Sequence, residues 1–178
     1  MFKRLLDLAF YFLKGGVVYA KRIGVNVGKN CRIYTRHFGT EPFLISIGDD
    51  VTITKDVTFI THDGSLIFFK DEKGRRYKYQ PINIGNNVFI GMNAIIMPGI
   101  KIDENVIVAS GSVVTKSIPT GSVVAGVPAK IIGNFHEFKA KCLKECISQA
   151  DMDFNKPYKE RVLQVTTNSY KEYLKANV

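Results

Sequence analysis

The 178-residue chain has no tryptophan, three cysteines and three histidines. Each scarcity excludes a kind of chemistry. His37, His62 and His136 fall in a predicted loop, a coil-to-loop junction and a helical tail, so they do not form the cluster of imidazoles that holds a catalytic zinc, and no metal site is expected. Cys31, Cys142 and Cys146 are odd in number and lack Cys-x-x-Cys spacing, which points to free thiols in a reducing, cytoplasmic compartment. Cys142 and Cys146 stand one helical turn apart and read as small buried thiols. The one apolar stretch near the start, Leu5 to Leu13, is broken by Asp7 and too short to span a bilayer, and no small-residue cleavage site follows it. Walker, Rossmann and Gly-x-Ser-x-Gly signatures are missing as well.

Acidic residues are the minority, and the formal charge is +9. The excess sits at the N-terminus, in the 70–78 stretch and in the tail. From 81 to 135 the only charged residues are Lys101, Lys116, Lys130, Asp103 and Glu104. No aromatic series alternates with the bases as on a nucleic-acid-binding sheet, so nucleic acid is not an expected partner, whereas a small phosphorylated ligand is.

What the sequence does have is a period of six. Ile84, Ile90, Ile96, Ile102, Val108 and Val114 form one aliphatic series. Val88, Ala94, Ile100, Val106, Ser112 and Ile118 form a second, small or aliphatic series. Six is not the helical period, and its regularity marks a solenoid in which each hexapeptide is a short strand and a corner. Gly, Asn and Asp cluster between the aliphatic positions, where tight bends call for positive φ. Three hexapeptides per turn predict a triangular coil. Residues 1–22 are expected to be a helical cap, with Leu5, Leu6, Ala9, Phe10 and Leu13 facing the coil. An alternative lays residues 1–14 on a membrane surface through Lys3, Arg4 and Lys14. The coil is expected over 23–133, with loop excursions at 36–43 and 63–80, the second holding a hairpin or flap around Lys73-Gly74-Arg75. Residues 134–178 are expected to form a helical tail, with Phe135, Phe138, Cys142 and Ile147 on one face and a second helix starting at Pro157 that carries Tyr158, Val162, Tyr170 and Leu174. Its default role is to cap an open end of the solenoid.

Of the histidines, His62 is the candidate base. It stands where a coil rung gives way to the long excursion, and an imidazole with an ordinary pKa near neutrality can take a proton from a hydroxyl. Asp63 and Glu41 are both candidates to orient it.

Asn86-Asn87-Val88-Phe89-Ile90-Gly91, Ile96-Met97-Pro98-Gly99-Ile100, Ala109 to Pro119 and Ala125-Gly126-Val127-Pro128-Ala129-Lys130 together resemble the hexapeptide-repeat acyltransferases, in particular the galactoside, maltose and capsule or O-antigen sugar O-acetyltransferases. Gly39 to Ile45, with Phe59 to Gly64, is similar to the polysaccharide-modifying members. The resemblance implies an all-β solenoid, a left-handed parallel β-helix, assembled as a homotrimer with sites in the clefts between subunits. It implies acetyl-CoA as co-substrate and a saccharide as acceptor, with His62 matching the catalytic base. Gly91, Met92, Ala109, Ser110, Thr115, Lys116 and Lys130 match the cofactor track. Arg36 joins Asp63 and Glu41 as a candidate to orient the base or hold the acceptor. Two departures stand out: Gly133 replaces a second basic residue found in many relatives, and the tail is long. Two other functions stay open on the same fold: N-acetylation of an amino sugar or xenobiotic, and an inactive scaffold.

Overall fold

A computed structural model describes residues 2–167 and 169–173, with side chains from residue 7 onward. The chain divides into one unit up to Phe138 and another from Lys139, each described by itself below.

The first unit is a coil of short parallel strands that visit three sheets in turn. One sheet holds Asn26–Val27, Ile45–Ile47, Ile82–Ile84 and Lys101–Ile102. A second holds Thr58–Phe59, Ile95–Ile96 and Val113–Val114. The third stacks Arg32–Ile33, Thr52–Ile53, Val88–Ile90, Val106–Val108 and Ser122–Ala125. Register fixes the coil length. Ile90 pairs with Val108, and Ile95 with Val113, eighteen residues on in each case, which is three hexapeptides per turn.

Packing accounts for the period. All six residues of the first series are buried, as are all six of the second. A β-branched residue at every sixth position of the first series stacks on its equivalent in the next rung and fills the narrow prism. The corners repeat as regularly: Asn87, Asn93, Gly99, Asn105 and Gly111 all have positive φ, six residues apart. Glycine and asparagine occupy them because the left-handed conformation costs other side chains more.

The ends and insertions differ from the sequence expectations in several places. The N-terminal segment is two helices, α1 (Phe2–Lys14) and α2 (Gly16–Ile23), since Gly15 turns the chain at φ 85°. Of the face expected to pack, Phe10 is half-buried under the Arg22 guanidinium at 4.2 Å. Ala9 and Leu13 are exposed, while the Tyr11 hydroxyl donates to the Tyr34 carbonyl and Asp7 pairs with Arg22 of α2 at 2.6 Å. The side chains of Leu5, Leu6, Lys3 and Arg4 lie outside the described residues. α2 sits so close to the coil that a Cβ on Gly16 would collide with the Ile33 carbonyl.

The 36–43 segment does not leave the coil as a whole. His37 bridges to Thr58 in parallel, and Phe38, an apolar residue at a rung position, is buried and stacked on Phe59 at 5.3 Å. Only the part after Phe38 departs, through a turn at Pro42–Leu44. The 63–80 segment starts with a tight helical turn at Gly64–Phe68, continues into an antiparallel hairpin (Lys70–Asp71 with Gly74–Arg75), and returns through a bridge between His62 and Tyr79. Beyond Pro128 the chain does not make another rung: Lys130–Asn134 runs back antiparallel to Ser122–Ala125.

Helix α3 spans Phe135–Glu145, so Ile147 lies past it, because Ser148 and Asp151 cap a new turn. In the second unit α4 covers Tyr158–Val165, with Arg161 over the Phe154 ring at 4.5 Å. Tyr170 is outside α4 and exposed, and Leu174 lies outside the described residues. Cys142 is half-buried and Cys146 exposed, so these thiols are not the small core residues expected; both, with Cys31, are free. No described helix is long and apolar enough to cross a membrane.

Candidate active site

His62 follows the buried Thr61 directly, at the end of the Thr58–Phe59 rung, so its backbone belongs to the rigid coil while its side chain remains 38% exposed. The coil below supplies its partner. His37 pairs with Thr58 at an offset of 21 residues, and the same offset brings Glu41 beside His62. The contact runs from His62 Nδ1 to Glu41 Oε2 at 2.9 Å. The same oxygen accepts from the Thr61 hydroxyl at 2.6 Å, and Glu41 Oε1 accepts from the Thr40 hydroxyl at 2.7 Å. Burial alone would raise the Glu41 carboxyl, but the hydrogen bonds from Thr61, Thr40 and His62, together with the imidazole charge, outweigh it and hold the group below its ordinary value. An ionised carboxylate at Nδ1 selects the tautomer with the proton there. Nε2 then carries the lone pair, the form a general base requires.

Asp63 makes no hydrogen bond to the imidazole. Its carboxylate accepts from the Ser65 amide at 2.9 Å and the Ser65 hydroxyl at 2.6 Å, capping the turn that opens the excursion. Those bonds, first the Ser65 hydroxyl and then its amide, lower the Asp63 carboxyl. Adjacent residues on an extended strand point to opposite sides, which is why residue 41 and not residue 63 reaches the ring.

Three concavities adjoin one another along this edge of the coil. One, of about 420 Å³, is lined by Arg36, His37, Thr40, Thr58, Thr61 and His62 among others. The next, about 430 Å³, shares His62 and Ile60 with the first and adds Lys78, Gln80, Met97, Pro98 and Thr115. The third, about 390 Å³, shares Thr115 with the second and carries Lys116, Ile118, Val124, Ala129 and Lys130. His62 and Ile60 thus border both of the first two cavities, and Thr115 both of the last two.

The other expected cofactor residues are elsewhere in the single chain. Gly91, Met92, Ala109 and Ser110 line none of the three cavities. They form the corner before the second sheet, whereas Thr115 and Lys116 form the corner after it. Backbone contact binds that corner together: the Gly111 amide donates to the Met92 carbonyl at 2.7 Å, and a Cβ on Gly91 would collide with the Ser110 amide. Thr40 and Thr61, which hold Glu41, were not among the sequence candidates. The offset set by His37 and Thr58 is the signal that points to them. No cluster of His, Cys, Asp and Glu among the described residues could hold a metal ion.

Residues 81–116 match the family described as bacterial transferase hexapeptide (six repeats). Protein CapG of Staphylococcus aureus is 41% identical over 138 residues, which cover 76% of this chain and 80% of that protein. The chain belongs to the hexapeptide-repeat acyltransferase family. Within that family it is 32% identical to the galactoside O-acetyltransferase of Escherichia coli K12 over 121 residues, spanning 68% of this chain and 59% of the enzyme. A hexapeptide-repeat acetyltransferase of Vibrio cholerae, solved in complex with acetyl coenzyme A, superposes with a TM-score of 0.53 at 29% identity, covering 63% of this chain and 61% of the other. The chain therefore spans about six tenths of the length of these last two family members.

Proposed function

We propose that the chain is an acetyl-CoA-dependent O-acetyltransferase that acts on a sugar hydroxyl, with His62 as general base and Glu41 as the residue that positions it. The observation that carries the proposal is the Glu41–His62 contact beside two cavities that His62 lines, with Nδ1 engaged and Nε2 in no hydrogen bond to the described residues. An inert scaffold needs no carboxylate held by two hydroxyls and an imidazole on its surface. The relatives supply the reaction class: a galactoside O-acetyltransferase and an acetyl-CoA-bound acetyltransferase.

Acetyl-CoA would bring an activated thioester. Lys116 and Lys130, which have no ion-pair partner among the described residues, fit its phosphates, and Ile118, Val124 and Ala129 give the third cavity an apolar lining. The shared Thr115 carries that track toward His62, which leaves the Arg36 cavity on the far side of the imidazole for the acceptor. His62 Nε2 takes the hydroxyl proton as the acceptor oxygen bonds to the thioester carbonyl carbon, and returns it to the departing thiolate when the C–S bond breaks. Holding both reactants beside one base accounts for much of the acceleration such sites achieve.

The Gly91, Met92, Ala109 and Ser110 corner enters this scheme through assembly. In a homotrimer of left-handed coils packed side by side, that corner of one copy would form the second wall of the cleft opened by His62 and Thr115 of the next. The reading also places the protein in the cytoplasm, in polysaccharide biosynthesis of the capsule or O-antigen kind. The test is thiol release from acetyl-CoA against a panel of sugars, run on protein whose mass has been measured by light scattering. Sugar-dependent release from a three-copy species is expected. A monomer would remove the shared cleft, and release indifferent to every sugar would remove the acceptor class.

A further inference from the structure

We infer that the acceptor carries a negative charge and that Arg36 reads it; this rests on His62 being the acetyl-transfer base. The cavity assigned to the acceptor has hydroxyls from Thr40, Thr58 and Thr61 on its walls and one permanent cation, Arg36, but no carboxylate in its lining. The acids nearby are engaged elsewhere. Glu41 accepts from Thr40, Thr61 and His62, and Asp56 lies 3.6 Å from His37 and 3.9 Å from Lys55. Arg36 itself has no ion-pair partner among the described residues.

The base from which its side chain projects is fixed. The Arg36 carbonyl accepts from the Tyr19 hydroxyl of α2 at 3.4 Å. On one side of it the buried Thr35 hydroxyl donates to Val57 at 2.6 Å, and on the other His37 is held in the second sheet by its bridge to Thr58. A guanidinium has only donors, in a planar fork that matches a carboxylate or phosphate with two charge-assisted bonds, a stronger contact than the single neutral bond it can donate to a sugar hydroxyl.

The 70–78 stretch of the excursion is also net positive. Residues 70–78 contain Lys70, Lys73, Arg75, Arg76 and Lys78 against Asp71 and Glu72, and Asp71 is paired with Arg76. This segment returns to the site through the His62–Tyr79 bridge, with the Tyr79 ring 5.9 Å from the imidazole and Tyr77 stacked on Tyr79 at 6.1 Å. Cations of one sign around a cleft concentrate an anionic substrate there. The fork reads a sugar carboxylate or the phosphate of a nucleotide-activated sugar alike, since each offers it a pair of anionic oxygens.

The test compares kcat/KM for galacturonic acid, galactose and UDP-galactose at low salt in the wild type, Arg36→Gln and Arg36→Lys. The anionic acceptor is expected to be preferred over galactose by roughly tenfold or more, with that ratio collapsing in Arg36→Gln, partly recovering in Arg36→Lys, and the acetyl-CoA KM unmoved. Whichever of galacturonic acid and UDP-galactose shows the Arg36-dependent preference identifies the source of the charge. A wild-type preference for galactose, an unchanged ratio in Arg36→Gln, or a raised acetyl-CoA KM would overturn the inference. If no acceptor turns over, calorimetric titration of the same three sugars decides separately. Arg36-dependent binding of an anionic sugar upholds the inference while the base assignment fails, and equal or absent binding rejects it.

Discussion

The coil between Ile84 and Ile118 and the excursion between Asp63 and Gln80 are neighbours in sequence, and they treat apolar side chains in opposite ways. In the coil, every residue of both six-spaced series is buried, and the exposed positions between them are mostly polar corner residues. In the excursion, Ile67, Phe68, Phe69, Tyr77 and Tyr79 are all exposed, Phe68 at 83%. Packing therefore explains the two buried series of the coil, though not its exposed Phe89 and Met92. Nor does it explain the excursion's apolar residues, because folding alone gains nothing from a large apolar side chain left in water. A cluster of this kind is the surface that a ligand or a second copy can cover. His62 stands at the boundary, with its backbone in the first regime and its side chain in the second.

The contrast predicts two substitutions with opposite signatures. His62→Ala should lower the acetyl-transfer rate by about 10²–10⁴ while leaving the thermal midpoint and acetyl-CoA affinity near the wild type. Ile102→Ala, in the fully buried series, should lose about 2–5 kcal/mol of stability because it opens a void that the stacked rungs cannot close, while the protein that stays folded keeps its turnover per site. Rate by thiol release and stability by urea unfolding separate the two. A His62→Ala protein that keeps full rate, or an Ile102→Ala protein as stable as the wild type, would break the division between frame and site.

The same division explains what could be read from the sequence. A buried position every six residues leaves its mark in composition, so the triangular coil was legible from Ile84 to Ile118. The partner of His62 was not, since Glu41 and Asp63 were equally plausible by type. What decides between them is the offset between His37 and Thr58, set by the few residues added to one coil in the 36–43 segment. The corners were legible as corners from their Gly and Asn residues. Which edge of the prism carries each cofactor candidate was not, because successive corners carry the same residue types: in the single chain Gly91, Met92, Ala109 and Ser110 stand across the second sheet from Thr115, and only the proposed trimer brings the two corners into one cleft. The tail is amphipathic only weakly, and a short capping box at Ser148 was enough to divert the predicted face.

A smaller effect tests whether the donor track leads away from the excursion. Lys116→Gln or Lys130→Gln should raise the acetyl-CoA KM several-fold at low salt and leave the acceptor KM nearly unchanged, with the effect shrinking as salt is added. If instead both variants keep the acetyl-CoA KM, the phosphates are held elsewhere, and the basic 70–78 segment becomes the place to look.

The smallest effect concerns Glu41, a link between coil and site that titrates with a definite direction. Its carboxyl is held below its ordinary 4.5 in the folded protein. The folded state therefore binds the proton less readily than the unfolded chain, and the carboxylate's contribution to stability is complete above that ordinary value. As pH falls from there through the depressed value, the contribution disappears. Glu41→Gln lacks the charge at every pH. The stability difference between wild type and Glu41→Gln should thus be constant near neutrality, on the order of 1 kcal/mol for hydrogen bonds to a mostly buried carboxylate, and should close below pH 4.5. Urea midpoints measured from pH 7 down to pH 3 read this directly. A difference that widens in acid, or that never changes, would mean that the carboxylate is not held by Thr40, Thr61 and His62 in solution, and the tautomer of the imidazole would lose its anchor.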